Sequence, residues 1–236
     1  MKSNKIVATT KRNFFKVLIF LLVFGGISFN LLGQKYARNQ FTVYSYVVNI
    51  DENVKSQLSR FESSIKYKPT DKQNKTEAML IHGLYNLTTQ ILSDSLSIFF
   101  LPTNSLGTKV KYSDYGYADI TIQKAIRLAD TKYFLKILAY VENDLYDDKN
   151  NKLPEGSFKP KIRLSIDIYN KYGYIPLQTS NSIITVKQPF KLSVNFLAGM
   201  NFVDESVTKQ PNSETLADLF TKAILEAYSE IKYKSK

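Results

Sequence analysis

The chain contains no cysteine, and that one absence removes several chemistries together. A disulfide framework, a thiolate zinc site, a cysteine nucleophile and the attachment cysteine of a lipoprotein are all excluded. Histidine is almost missing as well, His82 being the single one. A Ser-His-Asp triad, and most zinc sites, would have to use it. It lies in a helical stretch before Gly83, with Asn86 rather than a metal ligand at i+4, and so reads as an exposed or capped helix histidine. No G-x-S-x-G, P-loop or G-x-G-x-x-G occurs. Arginine is scarce, five residues against 27 lysines. Nucleic-acid sites lean on arginine for bidentate contacts to guanine and phosphate, which argues against a nucleic-acid partner.

What is present begins with a basic and apolar lead. Lys2, Lys5, Lys11, Arg12 and Lys16 run into VLIFLLVF at 17–24, then into GGISFNLLG at 25–33. Charge, a short apolar run and small residues in that order read as a secretory signal peptide. A spanning helix needs about 20 predominantly apolar residues. The run from 17 to 33 has 17 residues and already includes three glycines, Ser28 and Asn30. Cleavage is expected after Gly33, ahead of the polar QKYARNQ that begins at Gln34, with Ser28 as the alternative point. The competing reading is an uncleaved anchor whose basic end stays in the cytoplasm. Either way the sequence predicts residues 1–33 as a signal segment and 34–236 as one exported domain, in the periplasm or cell envelope.

Removing the lead takes five basic groups and no acids, leaving 27 basic against 21 acidic residues, so the formal charge falls from +11 to +6. Six Lys-Tyr dipeptides, starting at Lys35, Lys66, Lys111, Lys132, Lys171 and Lys232, are scattered rather than clustered as a base-stacking surface would need. Membrane contact is expected only through an uncleaved N-terminal segment or diffuse surface charge. With 44% hydrophobic residues, including 15 Phe and 16 Tyr, the chain has enough apolar material for a sizeable core.

Pattern along the chain predicts a first strand over 41–50 and a short helix through Val54, Leu58, Phe61 and Ile65, stopped by Pro69. A stronger helix over 76–93 carries Leu80, Leu84, Leu87 and Ile91 on one face. SIFFLP at 97–102 reads as a buried strand, and Asp119 as the N-cap of a helix through Ala129. Strands follow over 133–141 and through the alternating IRLSIDIY, with a hairpin turn at Lys171, Tyr172 and Gly173 into a return strand ending near IITV. KLSVNFL is a further strand candidate, and a helix capped by Ser213 closes the chain with a stripe from Leu216 to Ile231. This order predicts an α/β (α+β) layer fold: a single mixed sheet of about five strands covered by helices, with an antiparallel hairpin and a C-terminal amphipathic helix.

No residue qualifies from spacing alone as catalytic, cofactor-binding or metal-binding. The acidic tip Asp144, Asp147, Asp148, Asn150, Asn151 and Glu155 offers oxygen ligands of the kind calcium takes, but Lys149 and Lys152 interrupt it and the sixth place lacks glycine. Asp114, Asp119, Glu142 and Asp167 are too far apart in sequence to define a glycosidase pair. The sequons at Asn74 and Asn86 and the triplet Asp94-Ser95-Leu96 are three-residue matches.

The LLG before Gln34, the Lys, Asn and Tyr usage and the missing cysteines resemble small exported proteins of Bacteroidetes. Ala129-Asp130 before the strand at 133–141, the hairpin at 170–173 and the terminal amphipathic helix resemble the periplasmic α/β domains of the curli-secretion lipoprotein and TolB N-terminal type. That resemblance covers about 41–186 and 213–233, and it implies a domain that binds partners or assembles rather than catalyses. The expected function is therefore a non-catalytic envelope protein that binds a protein partner or itself. The alternatives are an envelope hydrolase using unidentified carboxylates and a membrane-anchored protein with a basic surface.

Overall fold

The computed structural model describes residues 35–147 and 149–234, so the lead segment, the Gly33 cleavage point and Asp148 lie outside the described residues. Strand β1 (Gln40–Ile50) is followed by helix α1 (Glu52–Leu58), a 3-10 segment (Ser59–Ser64) and the long helix α2 (Lys75–Leu96). The short β2 (Phe99–Phe100), helix α3 (Ile122–Leu128) and β3 (Tyr133–Asn143) come next. Then follow β4 (Ser157–Phe158), β5 (Pro160–Asn170), β6 (Gln178–Thr185), β7 (Phe190–Lys191), a second 3-10 segment (Val194–Leu197) and α4 (Leu216–Lys234). Five strands form one mixed sheet in the order β2-β1-β3-β5-β6, with β1 parallel to β2 and β3, and β3, β5 and β6 antiparallel in turn. Strands β4 and β7 make a separate antiparallel pair. The fold is thus the mixed α/β layer that the sequence predicts, with that small second pair added.

Alternation explains the sheet. Ile162, Leu164, Ile166 and Ile168 of β5 are buried, while Lys161, Arg163, Ser165 and Asp167 are half-exposed on the opposite face. In β1 strict alternation after Phe41 and Val43 would turn Ser45 and Asn49 toward the core. A register shift between Val43 and Ser45 inserts a bulge, and Tyr46, Val48 and Ile50 become the core-facing set instead. Helices α2 and α4 cover this face. Leu216, Leu219, Phe220, Ala223, Ile224, Ala227 and Ile231 of α4 are all buried, as their helical spacing predicts. Gly83 of α2 is buried against the Met200 side chain, whose terminal methyl takes the place a Cβ would occupy. The other face is covered only in part, by a smaller cluster of Tyr44, Leu106, Val110, Ala118, Ile122, Ala125, Phe134 and Tyr169.

Several local expectations are corrected. The 97–102 run is a two-residue edge strand in which Phe99 is 62% exposed, so it is not a buried strand. Asp119 does not cap α3; Thr121 does, accepting from the Lys124 N–H, while Asp119 bridges back to Ser45 of β1. The first helix leaves α-geometry at Leu58, well before Pro69. KLSVNFL joins a strand only at Lys191, in the two-residue β7 with Phe190 before it, and then coils into a 3-10 turn that buries Phe196 and Leu197. At α4 the cap is Thr215, which exchanges hydrogen bonds with Asp218, rather than Ser213.

Candidate functional site

The edge of the sheet at β1 is open over part of its length. On the side away from β3, β1 pairs with β2 only at Gln40 and Phe41. Further along, the Tyr46 N–H donates to Ala118 O at 2.9 Å and the Ile120 N–H to Tyr44 O at 3.2 Å. At the far end the Asp51 N–H turns the other way, to Val141 O of β3. Main-chain groups alternate in direction along a strand, so those of Val48 and Ile50 point outward with Tyr46. Among the described residues, no strand meets them there. They face a groove of about 430 Å³, walled by α1, the start of α2 and the hairpin-like loop at 113–119.

The walls are charged in a definite way. Asn74 caps α2 by accepting from the Glu77 N–H at 2.9 Å, which holds Glu77 in the first turn at the groove's rim. Lys55 Nζ lies 2.6 Å from Glu52 and 2.7 Å from Glu77. The Tyr115 hydroxyl donates to the second oxygen of Glu77 at 2.6 Å. Burial works to raise the Glu77 carboxyl, but the hydrogen bonds from Lys55 and Tyr115 and the lysine's charge outweigh it and hold it below its ordinary 4.5. The bonds to Glu52 and Glu77 in turn hold Lys55 above its ordinary value. On the opposite wall Asp119 accepts from the Ser45 hydroxyl at 2.8 Å. Lys55 is thus shared by two carboxylates while no cation among the described residues pairs with Asp119, and the groove's described lining carries one lysine against two carboxylates on a basic chain.

Behind the groove is an aromatic floor. Tyr46, Tyr85 and Tyr117 have ring centroids 4.6 to 5.1 Å apart, and the Tyr46 hydroxyl donates to Ile81 O at 2.7 Å. Burial pushes the Tyr85 hydroxyl up to about 12. His82 sits within this cluster, not exposed as its sequence position suggests. Its Nδ1 is 2.7 Å from the Tyr117 hydroxyl and its Nε2 3.3 Å from that of Tyr67, with Phe202 and Tyr115 packed edge-on. Burial lowers its pKa from 6.5. Phe202 holds φ at 70°, a conformation costly for a bulky side chain, where it closes the ring around His82.

The remaining sequence candidates do not converge. Glu142 is bound by Arg163, whose guanidinium also lies 4.4 Å over the Tyr140 ring on the open face of the sheet. Asp167 accepts from Thr179 at 2.7 Å. In the acidic tip Asp147 is used by the main chain of Lys149 and Asn151, and no metal-holding group of three ligands occurs among the described residues. Asp114 is at the tip of the 113–119 loop, where its carbonyl accepts from Gln73. Asn86 is exposed on α2. Asp94 and Ser95 end the same helix, where the Ser95 carbonyl accepts from Tyr228. Glu77, Lys55 and Tyr115 escaped the sequence reading. The Asn-x-x-Glu spacing at 74–77 is the signal that marks Glu77 as a rim residue.

No protein-family model and no curated protein matches the chain. Among solved structures, a hypothetical protein from Chlamydia trachomatis aligns over 84% of this chain and 98% of its own, at 8% identity and a TM-score of 0.43. A PelC dodecamer from Paraburkholderia phytofirmans aligns over 84% and 89%, at 10% identity and 0.39. A Xanthomonas campestris protein of family DUF330 aligns over 85% and 87%, at 11% identity and 0.33. Likeness at this level carries no argument about function or partners.

Proposed function

We propose that this chain is a non-catalytic, exported cell-envelope protein that binds a protein partner through the groove at the β1 edge. The observation that carries the reading is the open edge at residues 47–50, facing a groove whose charges suit recognition better than acid–base chemistry. A carboxylate held ionised by lysine, and a lysine held charged by two carboxylates, give neither the raised acid nor the lowered base that a hydrolase of this kind needs. The basic and apolar lead supports export, and no helix among the described residues is long and apolar enough to cross a membrane. The resemblance in sequence order to the periplasmic domains of the curli-secretion lipoprotein and TolB N-terminal type, which bind partners and assemble, points to the same reading. Self-association is a second reading, favoured by the exposed Tyr172, Tyr174, Ile175 and Leu177 at the β5–β6 turn.

The test is a photo-reactive residue at Asn49, with one at Asn181 on the opposite sheet edge as control. A defined adduct in envelope fractions from Asn49 alone is the expected result. No adduct from either position, together with a monodisperse monomer, would overturn the reading.

A further inference from the structure

We infer that the β1 groove takes an extended peptide segment bearing lysine or arginine, which joins the sheet as a strand beside residues 47–50. This rests on the partner-binding reading above and names the partner's chemistry. Val48 and Ile50 present outward N–H and C=O groups, and an added strand is the ligand that satisfies both kinds at once. The open stretch accommodates about four extended residues, roughly 13 Å at 3.3 Å each. Its charge selects the side chains. Lys55 is spent between Glu52 and Glu77, and Asp119 on the far wall adds a further negative charge. An acidic segment would be repelled there, whereas a cationic one pairs with Asp119 and lays its methylene stem against Tyr115. The net positive charge of the whole chain makes this local acidity selective rather than general. A second copy of this chain is the competing occupant.

The experiment measures hydrogen exchange and binding on the full chain with a capped octapeptide alternating valine and lysine. Its glutamate counterpart and a version N-methylated at alternate valines are the controls. The lysine peptide is expected to slow exchange at Val48 and Ile50 and not at Asn181. Both controls are expected to bind about tenfold more weakly or worse, since each loses charge pairing or strand bonds. Val48→Pro removes one outward N–H and spares the β3 ladder, and should weaken binding by about tenfold while the protein stays folded. Equal binding of the N-methylated peptide would overturn the inference without touching the protein's own stability. So would protection of Val48 and Ile50 that rises with protein concentration alone, which would assign the edge to a second copy. If the lysine peptide fails to bind while Asn49 still captures a partner, strand addition falls and the partner-binding reading stands. If neither occurs, both fall.

Discussion

The two edges of the main sheet are treated in opposite ways. At β6 the helix α4 takes bonds from three side chains and one main-chain N–H. Ser180 and Ser182 donate to Ala227 O and Ala223 O at 2.5 and 2.8 Å, and Gln178 donates to Ile231 O at 2.7 Å. Glu230 then reaches over the edge and accepts the Asn181 N–H at 3.2 Å. The strand itself carries no charge and no proline, so this reaching carboxylate is what guards it against another chain. At β1 the corresponding charges, Lys55 and Glu77, bond to each other instead, and residues 47–50 are left open. Of the outward main-chain groups of β6, the Asn181 N–H is thus covered by a helix carboxylate, whereas those of Val48 and Ile50 in β1 meet no strand among the described residues. The difference lies in where a single carboxylate points.

That contrast can be broken in graded steps. The largest effect is expected from Gln178→Ala. Its side chain is buried, accepts from Tyr36 and donates to two carbonyls at the end of α4. Losing this set leaves buried partners unpaired and should cost about 2–3 kcal/mol in denaturant unfolding. A loss well below 1 kcal/mol would mean that α4 does not depend on β6 in this way. Glu230→Ala is expected to cost at most about 1 kcal/mol in stability, because the bond is exposed. Its sharper consequence is concentration-dependent self-association in sedimentation, as the β6 edge loses its guard. Unchanged monomer would show that Glu230 is not the guard.

The smallest effect belongs to pH at the open edge. The folded-state pKa of Glu77 is depressed below its ordinary 4.5. Its contribution is therefore complete above the unfolded value and is lost as pH falls through the folded one. Stability curves below about pH 5 should be flatter for Glu77→Gln than for the natural chain. Identical slopes would remove Lys55 and Tyr115 as stabilisers of this carboxylate.

Most of the architecture was legible in the pattern. The alternation of β5 and the stripe of α4 are local signals, and the burials they predict are found, except that Tyr228 in the stripe is only half-buried. The misses are tertiary. Asp119 and Thr121 are both plausible caps before the same apolar run, and the pairing of Asp119 with Ser45 decides between them. KLSVNFL alternates as a strand does, but no neighbouring strand continues past Lys191, and the chain coils to bury Phe196. The β1 bulge rearranges which side chains face inward and cannot be read from an uninterrupted β-rich run. The groove was the least legible part. It draws on β1, α1, α2 and the 113–119 loop, and only the cap at 74–77 marks any of it locally. His82 looks exposed from its own helix alone, because the tyrosines enclosing it, Tyr67, Tyr115 and Tyr117, come from outside that helix.

The parallel pairing of β1 with β3 also sets an order of events. Strands β3, β5 and β6 meet their partners across short connections, whereas β1 reaches β3 only across the whole stretch from Asp51 to Lys132. Pairings that close long loops form slowly. As the chain is synthesised, its first strand is thus made early but docks late, after the meander that must receive it. The open edge at Val48 and Ile50 is complete only with that last docking, and a sub-global opening that frees β1 would erase it while β3, β5, β6 and α4 stay together.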